Sequence, residues 1–130
     1  AGAEVQVGEM PTVHADSTQM RQLFQNLVGN ALKYQDGGAP RISITAREQD
    51  GRAVIGVADN GVGFDEKYLD QIFKPFRRVH DGFPGSGMGL AICKKIVQRH
   101  GGGITASGAP GQGSTFTVTL PLGGNEEETP

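Results

Sequence analysis

Apolar residues recur three and four positions apart from Ser17 to about Tyr34 (STQMRQLFQNLVGNALKY): Met20, Leu23, Phe24, Leu27, Val28, Ala31 and Leu32. That series predicts a long helix with one face buried. Asp16 stands where such a helix needs a cap, and Gln19, three residues on, is placed as the reciprocal partner of a capping box. A different pattern flanks the helix. Residues 4–8 and 12–15 are short and β-branched and read as strands. Arg41–Glu48 alternates, with Ile42, Ile44 and Ala46 on one face, and Ala53–Ala58 makes a second strand. Asp50-Gly51 between them is a two-residue hairpin signal.

Further on, the pattern predicts a short helix over roughly Glu66–Ile72 and an apolar-rich one from Leu90 to about Arg99, ended by Gly101–Gly103. Ile104–Ala106 and Thr115–Leu120 form a hairpin with Phe116, Val118 and Leu120 toward the core, and Pro121 stops it. Strands on one side and about three helices on the other make an α/β two-layer sandwich with a mixed, mostly antiparallel sheet. One domain is expected over residues 1–122. Residues 123–130 (GGNEEETP) carry nothing to bury and are expected to be a disordered acidic tail.

Composition narrows the function. A net charge of −2 with no basic run argues against nucleic acid and against an anionic membrane surface. No apolar run is long enough for a membrane span or signal peptide. The single cysteine, Cys93, excludes an internal disulfide and fits a reducing, cytoplasmic setting. The 21 glycines cluster at positions 61–63, 82–89, 101–103 and 108–113 without a period. Glycine gathered in a few loops points to backbone that turns sharply or approaches a ligand closely.

Three places carry candidate chemistry. On the first helix, Gln22, Asn26, Asn30 and Lys33 form a second stripe. Amide oxygens can ligate a hard cation and lysine can meet phosphate; taken alone, the stripe reads first as the solvated side of an ordinary helix. Asp59 ends the second strand of the hairpin in ADNGVGF. Its carboxylate could accept from an exocyclic amine, while Asp-Asn-Gly is also a common turn string. DGFPGSGMGL (81–90) reads as a long mobile loop feeding glycine backbone into a helix N-terminus, a natural phosphate cradle or else a linker. It is not G-x-G-x-x-G, and GAPGQGST (108–115) has Ser114 where a P-loop needs lysine.

In order along the chain stand QNLVGNALKY (25–34), DNGVG (59–63), FKPF (73–76), GSGMGL (85–90) and GQGSTF (111–116). Together these five blocks resemble the catalytic, ATP-binding domain of sensor histidine kinases. That is the Bergerat or GHKL fold shared with gyrase B subunits, mismatch-repair ATPases and large heat-shock chaperones. The match runs from about residue 5 to residue 121, and FKPFRRVH is similar to the phytochrome-type kinases.

The resemblance implies ATP and Mg²⁺ as cofactors. Asn30 would be the metal ligand, with Asn26 close by, Lys33 on a phosphate oxygen and Tyr34 lining the pocket. Asp59 would receive the adenine amine, with Gly61 and Gly63 letting the ring lie flat and Thr115 supporting Asp59 from the next strand. Arg77 and Arg78 would contact phosphate from a lid, and Gly85, Ser86, Gly87, Met88, Gly89 and Leu90 would form its hinge and the phosphate cradle. Asn26, Lys33 and Arg78 would act in catalysis. The implied partners are a histidine-bearing dimerisation domain of the same kinase and a downstream response regulator, with no direct membrane contact; the isolated domain is expected to be monomeric. His14, His80 and His100 do not lie in an acceptor context such as HExRxPL. A clamp-type ATPase would need a glutamate where Asn26 stands, and a nucleotide-binding pseudokinase is the third possibility.

Overall fold

The computed structural model describes residues 4–7, 16–33, 39–69, 71–74 and 89–122. Its elements run β1 (Glu4–Val7), α1 (Ser17–Lys33), β2 (Arg41–Gln49), β3 (Arg52–Asp59), a 3₁₀ turn (Glu66–Tyr68), α2 (Gly89–Arg99), β4 (Gly103–Gly108) and β5 (Ser114–Pro121). The five strands form one sheet in the order β1-β2-β3-β5-β4. β1 pairs with β2 in parallel and every other pairing is antiparallel, so the sheet is mixed and mostly antiparallel, as the sequence suggested.

β2 and β3 join through Asp50-Gly51, whose φ values of 53° and 76° are those of a type I′ turn. That turn fixes the register, with Gln49 opposite Arg52 and Ile42 opposite Asp59. Alternation then sends Ile42 and Ile44, Ala53, Ile55 and Val57, and Phe116, Val118 and Leu120 to one face, where all are buried. The helices cover that face with Leu23, Leu27 and Ala31 from α1 and Cys93, Ile96 and Val97 from α2. Fully burying each large apolar side chain is worth roughly 1.5–3 kcal/mol.

Two elements differ from the sequence reading. The helix expected over 66–72 is a single 3₁₀ turn, capped by the Asp65 carboxylate accepting from the Lys67 N–H at 3.0 Å. Beyond it the chain turns so that Ile72 and Phe73 meet the core, and Phe73 stands edge-on to Phe116 with centroids 6.1 Å apart. The capping box is also only half formed. The Asp16 carboxylate accepts from the Gln19 N–H at 2.8 Å, but the Asp16 N–H donates to Nε2 of His100 instead of to Gln19. The strand expected over 12–15 and the tail over 123–130 lie outside the described residues. Among the described residues no helix is long and apolar enough to cross a membrane.

Candidate functional site

Asp59 is the last residue of β3, the central strand, and its carboxylate lies on the helix side of the sheet. Two backbone groups fix it. Its Oδ1 accepts from the Gly61 N–H at 2.8 Å, closing a turn, and from the Ser114 N–H at 3.3 Å across the β3–β5 ladder. Burial raises the Asp59 carboxyl above the ordinary aspartate range, and the two N–H bonds partly offset it. With Oδ1 doubly engaged and Oδ2 accepting no hydrogen bond among the described residues, the free oxygen can take a donor from a ligand.

The resemblance implies this supporting role for Thr115, and the register corrects it. Ser114 is the residue opposite Asp59, while Thr115 pairs with Ala58. A shift of one residue in a strand reverses the face. Thr115 therefore lies on the other side of the sheet, beside Thr45, Gly56 and Thr117 in an open depression. The buried alternation Phe116, Val118, Leu120 carries the signal that would have found Ser114, since 114 shares its parity.

Two neighbouring glycines are required by close backbone contact. A Cβ at Gly63 (φ +67°) would clash with the carbonyl oxygens of Ala109 and Gly113, and one at Gly113 (φ +78°) with that of Asp59. The Gly111 N–H donates to the Val62 carbonyl at 2.7 Å. The loops 59–63 and 109–113 thus interlock backbone to backbone, and this holds Asp59 in place. Asn60 braces the other side, its Oδ1 accepting from the Arg41 N–H at 2.8 Å and its Nδ2 donating to the Ala39 carbonyl at 3.1 Å. The sequence offered no role for it.

On α1, Asn26 and Asn30 lie on one stripe and both are half-buried. The Asn26 side chain hydrogen-bonds the thiol of Cys93 on α2, and that thiol also donates to the Leu23 carbonyl at 3.7 Å. Burial pushes the thiol up to about 12. α2 begins with Gly89, where a Cβ would meet open space, and with Leu90, which packs against the edge of the core. Lys33 closes α1. Its side chain, and Tyr34, Arg77, Arg78, Gly85, Ser86, Gly87 and Met88, lie outside the described residues.

The donor set suits a nucleotide and a metal ion carried with it. Asp59 offers a fixed, free carboxylate oxygen, and the amides of Asn26 and Asn30 offer hard carbonyl donors. Among the described residues no cluster of three His, Cys, Asp or Glu is present. A divalent ion here would rely on amide oxygen and on the ligand's own oxygens.

Residues 15–124 match the family model described as histidine kinase-, DNA gyrase B- and HSP90-like ATPase. The chain is 46% identical over 125 residues to the phytochrome-like protein Cph1 of Synechocystis sp. (strain PCC 6803), covering 95% of this chain and 17% of that protein. Among solved structures, the mycobacterial sensor histidine kinase MprB superposes with a TM-score of 0.81 at 29% identity, covering 95% of this chain and 84% of that one. Full-length ShkA, solved in complex with AMPPNP, superposes with a TM-score of 0.80 at 33% identity, covering 95% of this chain and 26% of that one.

Proposed function

Since the chain belongs to the histidine kinase-, DNA gyrase B- and HSP90-like ATPase family, in the branch of the sensor histidine kinases, we propose that it binds Mg²⁺-ATP and donates the γ-phosphoryl group to a histidine on a separate dimerisation domain in two-component signalling. The observation that carries this reading is Asp59, a carboxylate locked by two backbone N–H groups at the end of the central strand with one oxygen left for a ligand. That oxygen would accept from the adenine amine. Asn30 would give the metal an amide oxygen, with Asn26 beside it. Lys33, Arg77 and Arg78 would meet phosphate, Tyr34 would line the pocket, and residues 85–90 would cradle the phosphates. The acceptor histidine and a response regulator would be its partners in a cytoplasmic pathway. The metal would neutralise charge on the transferring group; the chain's own work is positioning.

Calorimetric titration with a non-hydrolysable ATP analogue, with and without Mg²⁺, tests the reading. Mg²⁺ should tighten binding, and Asn30→Ala should remove that gain while leaving the folded state intact. An Asn30→Ala chain that responds to Mg²⁺ as the parent does would overturn the metal assignment.

The same titration with GTP tests Asp59. Guanine presents a carbonyl where adenine has its amine, leaving the carboxylate unpaired at a cost of about 1–3 kcal/mol, or roughly five- to 150-fold in affinity. The proton balance adds a check. The ionised carboxylate is the better acceptor and its pKa is raised, so ATP affinity should decline on acidification above the range of an ordinary aspartate. Equal affinity for ATP and GTP would count against Asp59.

A further inference from the structure

His100 belongs to none of the groups above, yet both of its ring nitrogens are engaged. It sits at the C-terminal end of α2, where the Gly101 N–H bonds the Gln98 carbonyl (3.1 Å) and the Gly102 N–H bonds the Val97 carbonyl (2.8 Å), the pattern of a Schellman motif. Its Nδ1 lies 2.8 Å from the Ile96 carbonyl. A carbonyl can only accept, so Nδ1 carries the proton and Nε2 is left as an acceptor. That acceptor takes the N–H of Asp16 at 3.2 Å, the residue that caps α1.

In an ordinary capping box the N-cap N–H is satisfied from the third residue of the same helix. Here Gln19 holds that position, but its Oε1 is buried without a hydrogen bond among the described residues. His100 supplies the missing arm from another helix, 84 residues away. A second tie lies about two turns along, where the Cys93 thiol meets the Leu23 carbonyl and the Asn26 amide. α1 carries the amide stripe, and α2 starts at the glycine box. The two ties join these helices.

We propose that His100 is a positioning residue for the metal-binding stripe, completing the cap of α1 from α2 so that Asn26 and Asn30 keep their register against the start of α2. The proposal rests on the nucleotide-binding reading above. The hydrogen bonds of the His100 ring go to Asp16 and Ile96, while the carboxylate of Asp59 is fixed by Gly61 and Ser114, so base selection at Asp59 stands apart from it. Without the tie, α1 samples positions that do not bind, and affinity falls by the fraction of time spent there.

The test uses the 130-residue chain and His100→Phe, which fills the space but offers no acceptor. In the nucleotide-free chain, amide exchange at Asp16 and through the first turn of α1 should accelerate. The Mg²⁺ enhancement of ATP affinity should drop about three- to tenfold, the worth of one hydrogen bond, while the ATP-to-GTP affinity ratio stays unchanged. His100→Gln, whose amide reaches as far as Nε2, should restore the enhancement. If His100→Phe does not fold, His100→Asn keeps the contact with Ile96, falls short of Asp16 and serves in its place. Unchanged exchange at Asp16 overturns the proposal. So does a parallel loss of Mg²⁺ enhancement and base selectivity, which would mean general loosening. A parent chain with no nucleotide affinity overturns the function of the previous subsection and this proposal with it; the exchange data, taken without nucleotide, then still decide whether the cap exists.

Discussion

Alanine at position 113 should destabilise the chain by about 3 kcal/mol or more and abolish discrimination between ATP and GTP, whereas alanine at 111 should cost only about 1 kcal/mol and leave discrimination intact. The two glycines have nearly the same backbone, with φ +77° at 111 and +78° at 113. Each alanine therefore carries the same left-handed penalty. What differs is the space around them. A Cβ at 111 meets nothing within 4 Å, while one at 113 would overlap the Asp59 carbonyl oxygen and crowd Asn60 Cα at 3.1 Å. These are backbone atoms and cannot rotate away. The β3 end and the 109–113 loop must separate, and the Ser114 N–H that holds Asp59 Oδ1 separates with them. Urea melts and ATP/GTP titrations of the two variants side by side check this. Equal stability losses would mean that φ alone governs both sites and that the interlock contributes nothing.

This interlock also shows where sequence reasoning stopped. Local signals were legible because their causes are local: the Asp50-Gly51 turn, the 3.6-residue period of α1, the alternation of β2, β3 and β5 and the glycine stop after α2 each arise from a few adjacent residues. Asp59 was legible as a candidate because a carboxylate at a strand end beside glycines is an unusual arrangement. What the sequence hid was long-range pairing. Glycine in these loops fits a sharp turn as well as a close ligand, and adjacent residues do not reveal that Gly63 and Gly113 make room for each other's loops.

The resemblance points to Thr115, but strand parity decides the face, and the register sets Ser114 opposite Asp59. The capping box failed for the same reason. Asp16 and Gln19 satisfy the local rule, but His100, 84 residues on, takes the N–H that Gln19 would have met. Residues 66–72 have helical composition, yet the need to bring Ile72 and Phe73 onto the core leaves only one 3₁₀ turn.

The chain alone should bind ATP with almost no turnover, and adding a histidine-bearing helical hairpin of a cognate kinase, in cis or in trans, should switch phosphoryl transfer from none to readily measurable. The argument begins at Asn26. A clamp-type ATPase needs a base at this point of the helix to activate water, and an amide has no proton affinity in that range. The side chain is moreover engaged with the buried thiol of Cys93, which burial keeps fully protonated at neutral pH and which therefore cannot serve as the base either. Asp59 is the described carboxylate with a raised pKa, but it is held by Gly61 and Ser114 at the end of β3, and on the reading proposed above its free oxygen is given to the base ring and not to water. Phosphoryl transfer is mostly positioning; on the proposed reading the site holds the donor, while His100, the histidine among the described residues, is engaged with Asp16 and Ile96. Incubation with γ-labelled ATP, with and without the hairpin, decides the matter through label that is labile in acid and stable in base. Brisk phosphate release by the chain alone would favour the clamp ATPase, and tight nucleotide binding with no transfer to any hairpin supplied would favour a pseudokinase.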